Sequence, residues 1–405
     1  MNDVLSDAVG VWQFLEQTAL EVFGTYGFTE IRTPVLEKTE LFCRSIGETT
    51  DIVEKEMYTF ADKSGNSLTL RPEGTAPVMR SLIQHRLTAQ DPIAKLCYIG
   101  PMFRHERPQK GRYRQFHQIG AEAVGVEDPK IDAQILLMLH HYFTRIGISA
   151  ISLEINSLGC PACRPDYRTQ LISFLQERLD ALCSECRRRY LNNPLRVLDC
   201  KVETCRVATA DAPAMIDHLC DECDGHFKEV RHYLDLLRVP YAVNSRMVRG
   251  LDYYVRTTFE LVTDQLGSQN AVAAGGRYDG LIESLGGPAL PGIGFAIGLE
   301  RLVLMLDKQQ EKAKVPALFI AALGEEAARQ AFILMSQLQA QGIWAEMDYM
   351  GKSLKAQMRR ADKMGAVKTL IIGAEELRTG QAQLKNMADS TQKSVQLDSL
   401  VEALS

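Results

Sequence analysis

Between Arg104 and Arg114, six of eleven side chains are arginine, lysine or histidine, within the run Phe103-Arg104-His105-Glu106-Arg107-Pro108-Gln109-Lys110-Gly111-Arg112-Tyr113-Arg114-Gln115-Phe116-His117-Gln118. A generic charge run is usually a solvated hairpin tip. Here the arginines begin inside the first strand, at Phe103-Arg104, and not at the Gly111 turn. A guanidinium in that place costs desolvation unless it meets an anion, and its planar fork suits phosphate oxygens. Two glycine-rich pieces offer rival phosphate sites. Gly292-x-Gly294-x-x-x-Gly298 misses the dinucleotide fingerprint by one residue and lacks a clear strand–helix–strand unit. Gly351-Lys352-Ser353 ends like a P-loop, but Glu346 stands where its first glycine belongs. The arginines are the remaining candidates for phosphate contact, with a solvated hairpin tip as the alternative.

Eight of the ten cysteines fall between Cys160 and Cys223, as Cys160-x-x-Cys163, Cys183-x-x-Cys186, Cys200-x4-Cys205 and Cys220-x-x-Cys223. Without a secretory signal these are expected to be thiols and not a disulfide framework. Thiolates so spaced can close on one or two tetrahedral Zn²⁺ ions of structural kind, with His218 or His226 able to replace a cysteine. The alternative is a set of reduced thiols in a helical segment, with no metal.

These groups need elements to hold them. Helical spacing of Val11, Phe14, Leu15, Ala19, Val22 and Phe23 predicts a helix over 11–26, stopped at Gly27. Strands are expected at 28–33 (ending before Pro34), 68–70, 95–103 and 115–126, with a helix over 131–147. Strand after strand with charged loops predicts an α+β body built on an antiparallel sheet. Residues 159–237 change to a cysteine- and arginine-rich helical insertion, and strand-like sequence returns over 241–298 before a helix from Leu299. A charged linker is expected at 307–314. Beyond it, strands at 316–323, 343–348 and 367–372 alternate with helices at 325–341 and 353–364, the pattern of a small parallel-sheet α/β domain.

The 405 residues are too many for one ordinary domain. A net charge of −5 argues against indiscriminate coating of nucleic acid, while leaving room for a specific nucleic-acid partner at local basic patches. No apolar run reaches membrane-spanning length and the N-terminus lacks a targeting pattern, so a cytoplasmic location without membrane association is expected.

Phe103-Arg-x-Glu-Arg107 followed by Arg114-Gln-Phe-His-Gln118 resembles motif 2 of the class II aminoacyl-tRNA synthetases in its histidyl form. Tyr26 to Pro34 is similar to the dimer-forming motif 1, and Gly292-Ile-Gly-Phe-Ala-Ile-Gly-Leu-Glu-Arg301 to motif 3. Arg249-Gly-Leu-Asp-Tyr253-Tyr254 and Ala274-Gly-Gly-Arg-Tyr-Asp-Gly-Leu281 resemble runs peculiar to histidyl enzymes, and Arg71-Pro-Glu73-Gly74-Thr75 resembles their amino-acid-recognition strand. The likeness covers nearly the whole chain, in family order.

The resemblance implies a class II antiparallel-sheet catalytic domain over 1–158 and 238–309, interrupted by the insertion at 159–237, with an α/β anticodon-binding domain over 316–405. It implies a ligase that forms histidyl-adenylate from L-histidine and ATP with Mg²⁺, then charges tRNA(His). By resemblance Arg104 and Arg301 bind ATP, and with Arg249 they form the catalytic set. Glu73, Gly74, Thr75, Arg104, Gln118, Glu122, Arg249, Tyr253 and Tyr254 bind histidine. Arg107, Gln109 and Arg114 face the tRNA acceptor end, and Lys352, Lys355, Arg359 and Lys363 offer a phosphate track in the C-terminal domain. A pocket that hydrogen-bonds both imidazole nitrogens can discriminate by ~10⁴ to 10⁵, so no editing domain is expected. A homodimer is implied. The family's short Arg-Gly strand does not precede Met1-Asn2-Asp3, so the start is expected to be truncated, with edge pairing affected. The rival reading is the non-catalytic, synthetase-like regulatory subunit of ATP phosphoribosyltransferase. Both the intact Arg249–Tyr254 run and the presence of residues 316–405 count against it.

Overall fold

The computed structural model describes every residue except 1, 7, 48–49, 110, 267–269, 307–314 and 405. It divides into two compact units, Met1–Glu311 and Lys312–Ser405. The linker expected at 307–314 lies outside the described residues. No helix among those described is long and apolar enough to cross a membrane.

The first unit is organised by an eight-stranded sheet. Its strands are β1 (Thr29–Glu30), β2 (Ala94–Phe103), β3 (Gln115–Val124), β4 (Ser152–Ser157), β5 (Ala242–Val243), β6 (Val255–Val262), β7 (Ala271–Arg277) and β8 (Gly292–Gly298), in the order β1-β2-β3-β8-β7-β6-β4-β5. From β2 to β4 every neighbouring pair is antiparallel, and only the edge pairs β1–β2 and β4–β5 are parallel. The strand expected over 28–33 shrinks to two residues. It continues as one further bond, Ile31 N–H to the Cys97 carbonyl at 2.8 Å, before Pro34, which has no N–H to donate.

Two helices cover one face of this sheet, while a third packs against the other. In α1 (Val9–Thr25), Leu15, Ala19, Val22 and Phe23 form the buried stripe that helical spacing requires, and the helix ends at Gly27 in the left-handed region (φ 81°). In α2 (Thr75–His85), Val78, Met79 and Leu82 are buried, and this helix packs against the face opposite α1 with Ala94, Tyr98, Met102 and Val124. In α3 (Pro129–Arg145), the Asp128 side chain accepts from the Lys130 N–H at 2.9 Å and proline occupies the first turn. The stripes of α1 and α3 meet Ile119, Phe259, Phe295 and Ile297 from the sheet in one core.

Residues 159–237 are helical, with α4 (Arg164–Gln176), three short helices and α5 (Asp221–Leu236). Tyr167, Leu171, Leu175, Val197 and Met215 form a core of their own with the cysteines. Phe227, Val230 and Leu234 of α5 instead join the main core. His226 of α5 sits 3.1 Å from Asp132, which also receives Arg277 Nη1 at 2.6 Å; Arg277 and Asp132 are fully buried. His226 is thus engaged by Asp132, and the two groups of described side chains that converge as metal ligands contain cysteines and neither His218 nor His226.

The second unit has β9 (Leu318–Ala322), β10 (Ala345–Met347) and β11 (Lys368–Ile372) paired in parallel, with α6 (Glu325–Ala340) and α7 (Leu354–Lys363) in the connections. Two strands beyond the expected alternation, β12 (Gln381–Asn386) and β13 (Gln392–Gln396), extend the sheet antiparallel, so it is mixed and not purely parallel. Ala382, Leu384 and Val395 alternate inward from them into a separate core.

Candidate functional site

The register of β2 with β3 runs unbroken from Ala94↔Val124 to Phe103↔Gln115. Arg104 lies one residue past the strand and extends the pairing by donating its N–H to the Arg114 carbonyl at 2.9 Å. Because side chains alternate, Tyr98, Arg104, Gln118 and Glu122 share one face. On the neighbouring strands that face carries Gly294, Ala296 and Gly298 of β8 and Ala274 of β7, paired opposite Glu122, Gly120, Gln118 and Ala296. Side chains this short leave the face unfilled. The result is a cavity of about 280 Å³ lined by residues that include Glu73, Thr75, Arg104, Gln118, Arg249, Tyr253, Tyr254 and Arg301. Gly74 and Glu122 lie behind its wall.

Each cation is held by specific partners. Arg104 Nε donates to the Pro72 carbonyl at 2.8 Å, and its guanidinium lies 5.3 Å from the centre of the Phe116 ring. Arg249 is ion-paired with Glu260 and stands 5.4 Å from the Tyr254 ring centre. Arg301, from the short helix Leu299–Met305 after Gly298, donates to the Ala271 carbonyl and, at 3.4 Å, to the Gly111 carbonyl. Gly111 itself turns in the left-handed region (φ 73°). Burial and the neighbouring Arg112 cation push the Arg301 guanidinium below its ordinary pKa, although the nearby Glu106 carboxylate opposes them. Such crowding of positive charge is relieved by a bound anion.

The carboxylates are arranged differently. Both oxygens of Glu73 cap α2, accepting from the Thr75 N–H at 2.7 Å and the Ala76 N–H at 2.9 Å. Burial raises the Glu73 pKa against those backbone donors. Glu122 is fully buried and receives the Thr75 and Tyr278 hydroxyls at 2.7 Å each and the Tyr98 hydroxyl at 3.5 Å. Burial pushes its pKa up to about 8, with the hydroxyl donors opposing. Two buried polar atoms on cavity residues have no partner among the described residues: the acceptor Gln118 Oε1 and the donor Arg249 Nε. An unmatched buried polar group costs roughly 1–3 kcal/mol.

Arg107 and Gln109 are exposed on the hairpin loop, while Arg114 is half-buried with Nε 3.4 Å from the Glu106 carbonyl. Lys355, Arg359 and Lys363 are exposed along α7, and Lys352 is exposed but precedes the helix, which starts after Ser353. Tyr98, Tyr278 and Glu260 were not singled out from the sequence. Counting back by twos from Arg104 finds Tyr98, and Tyr278 sits within the glycine-rich run over 274–281.

The eight insertion cysteines gather as two nested quartets, Cys160, Cys163, Cys220 and Cys223 in one and Cys183, Cys186, Cys200 and Cys205 in the other, each with its sulfurs within 4.8 Å of one another. None is in a disulfide. In the first quartet Sγ–Sγ separations are 3.4, 3.3 and 3.9 Å. Four thiolates placed tetrahedrally about 2.3 Å from Zn²⁺ stand about 3.8 Å apart, so the donor set fits such an ion.

Comparison with known proteins follows the same two units. A family model described as "Histidyl-tRNA synthetase" matches residues 1–302, and one described as "Anticodon binding domain" matches residues 317–405. The chain is 64% identical over 404 residues to the histidine–tRNA ligase of Syntrophotalea carbinolica, covering all of this chain and 96% of that protein. To the Geobacter metallireducens histidine–tRNA ligase it is 65% identical over 397 residues, covering 98% of this chain and 96% of that one. The crystal structure of apo S. aureus histidyl-tRNA synthetase superposes with a TM-score of 0.84 at 38% identity, over all of this chain and 98% of that one. An ATP phosphoribosyltransferase regulatory subunit/histidyl-tRNA synthetase from Bacillus halodurans, 19% identical with a TM-score of 0.64 over 92% of this chain and 97% of that one, shares the fold.

Proposed function

Since the chain belongs to the histidyl-tRNA synthetase family, we infer that it is a histidine–tRNA ligase whose chemistry takes place in the cavity between Arg104, Arg249 and Arg301. The histidine carboxylate attacks the α-phosphate of ATP and pyrophosphate leaves; a hydroxyl at the 3′ end of tRNA then attacks the histidyl carbonyl of the adenylate, and AMP leaves. No covalent enzyme intermediate is involved, so catalysis is positioning plus stabilisation of phosphoryl charge.

The observation that carries the site assignment is that one cavity is lined by Arg104, Arg249 and Arg301 together with the carboxylate of Glu73. An amino acid brings an ammonium for that carboxylate, and its own carboxylate and the ATP phosphates suit the guanidiniums. On this reading Glu73, with Thr75 and Gln118, receives the ammonium. Tyr253 and Tyr254 line the imidazole end, Glu122 acts from behind the wall by fixing the Thr75 and Tyr98 hydroxyls that line the cavity, and Gly74 keeps that wall close because a Cβ there would strike Tyr98. Arg104 and Arg249 flank the α-phosphate and Arg301 takes the γ-phosphate. The family works with Mg²⁺, a hard cation that takes oxygen ligands. Of the carboxylates lining the cavity, Glu106 and Glu260, each now paired with an arginine, would hold it together with the phosphate oxygens, and the ion would neutralise phosphate charge.

Arg107, Gln109 and Arg114 are assigned to the acceptor end of tRNA(His), and residues 316–405 to its anticodon. The catalytic body is residues 1–158 and 238–309, and 159–237 is an insertion holding structural Zn²⁺. The enzyme works in the cytoplasm as a homodimer, a reading supported by the exposed Leu36 and Phe60 beside the segment after Pro34. Pyrophosphate exchange with each amino acid, followed by charging of bulk tRNA, tests the reaction. Histidine alone should support exchange. A different preferred amino acid, or none, would overturn the assignment.

A further inference from the structure

The first cysteine quartet is ringed by contacts to the residues at the end of the Arg249–Tyr254 run. Cys163 immediately precedes α4, and Arg164, the first residue of that helix, sends Nε to the Leu158 carbonyl at 3.0 Å and Nη2 to the Tyr254 carbonyl. The Arg256 N–H donates to the Gly159 carbonyl at 2.9 Å, and the Leu158 N–H to the Arg256 carbonyl at 2.8 Å. The Arg256 guanidinium pairs with Glu222, between Cys220 and Cys223, and with Glu127 at 3.1 Å. Arg256 itself has a left-handed backbone (φ 48°), which a β-carbon disfavours and which persists only where the surroundings over-determine it. Residues 254–256 are thus gripped from both chain segments that bear the quartet, and those segments meet through their sulfurs and through the core of Tyr167, Leu171 and Met215.

We propose that Cys160, Cys163, Cys220 and Cys223 bind one Zn²⁺ as a clamp that, through Arg164, positions the backbone of Tyr253-Tyr254, so that a metal in the insertion sets histidine affinity. The proposal rests on the reading that these tyrosines close the histidine pocket. Four thiolates converging without a cation would repel one another, and binding energy at such a site is folding energy for the segments it joins. Arg164 is then a positioning residue that acts on the pocket through a carbonyl. The second quartet has a different job. It ties together the short helices Ser184–Arg189, Leu195–Leu198 and Glu203–Ala208, and its neighbourhood reaches the Arg249–Tyr254 run by the Asn193–Asp252 hydrogen bond at 3.2 Å. Its loss should move histidine affinity less.

The test counts metal and histidine KM together on the full-length chain. Elemental analysis of the parent should give about two equivalents of zinc, and Cys163→Ser/Cys223→Ser and Cys186→Ser/Cys205→Ser about one each. Co²⁺-substituted parent should show thiolate charge-transfer bands. In pyrophosphate exchange, Cys163→Ser/Cys223→Ser should raise histidine KM roughly tenfold with a smaller change in kcat. Arg164→Ala should reproduce that split while keeping both zinc ions, and Arg164→Lys should restore part of it. If the cysteine pair variant fails to fold, the Arg164 pair still decides. Metal-free parent with an ordered insertion would overturn the clamp, as would unchanged KM in either the folded cysteine variant or Arg164→Ala. Parent protein without histidine-dependent exchange would instead remove the functional reading, which the metal count does not depend on.

Discussion

Arg249 and Glu260 form an ion pair at the cavity wall, between a loop and a strand eleven residues further along the chain. The pair fixes a half-buried guanidinium whose Nε still lacks a partner. Charge builds on the α-phosphate mainly in the transition state, so this cation should matter more for rate than for histidine binding. Arg249→Ala should lower adenylation about 10²-fold or more, corresponding to about 3 kcal/mol of lost stabilisation. Pyrophosphate exchange within a few-fold of the parent would remove Arg249 from the catalytic set.

Glu122 predicts a pH signature. Burial raises its folded pKa from the ordinary carboxylate range to about 8. Folding therefore takes up a proton at this site at intermediate pH, and the site's contribution to stability is greatest in acid and is lost as pH rises through the folded value. Glu122→Gln removes that dependence. The melting temperature of the ligand-free variant relative to parent should climb between pH 5.5 and 8. A flat difference across that window would mean that Glu122 does not titrate there.

Gly294 pairs opposite Glu122 on β8, and a Cβ built on it would overlap the Glu122 carboxylate and crowd the Ala121 carbonyl. Neither can retreat, since the carboxylate is fixed by hydroxyls and the carbonyl belongs to the sheet. Gly294→Ala should cost about 1–3 kcal/mol of stability, as overpacking does, and should raise histidine KM by displacing Glu122. Calorimetry and exchange kinetics on one preparation would read both. Parent-like values in each would show that the strand pair has room to open.

These relationships were legible in the sequence to unequal degrees. The period-two face bearing Arg104, Gln118 and Glu122 follows from strand geometry alone, and the stripe of Leu15, Ala19, Val22 and Phe23 follows from helical geometry. The hydroxyl cradle around Glu122 does not, because Thr75, Tyr98 and Tyr278 come from three separate segments whose meeting is a tertiary fact. The nesting of the cysteines is hidden for a related reason. Spacing says that each two-residue pair can share an ion, but which pairs combine depends on how α4 and α5 return to the sheet. The last two strands were missed because polar Gln381, Gln383 and Lys385 separate their inward Ala382 and Leu384, leaving a weak apolar signal.

The division into two units gives the last prediction. The second unit buries its own core, with Leu318, Ile320, Leu334, Leu370 and Leu384 among its members, and the main core of the first unit is built from residues before 307. Each core is self-contained, so deleting residues 316–405 should leave the first unit folded and histidine-dependent adenylation measurable, since every residue from Glu73 to Arg301 assigned to that step remains. Aminoacylation should fall much further, because the anticodon contacts go with the deleted unit. Exposed Lys355, Arg359 and Lys363 recur every fourth residue along α7 and share a face, as a track for phosphates does. Replacing all three by alanine in the full-length chain should weaken tRNA binding and flatten its log–log salt dependence by roughly two to three units, about one for each lost phosphate contact. Adenylation in that variant should match the parent. A truncated protein that charged tRNA normally, or a triple variant with an unchanged salt slope, would withdraw the role given to the C-terminal unit.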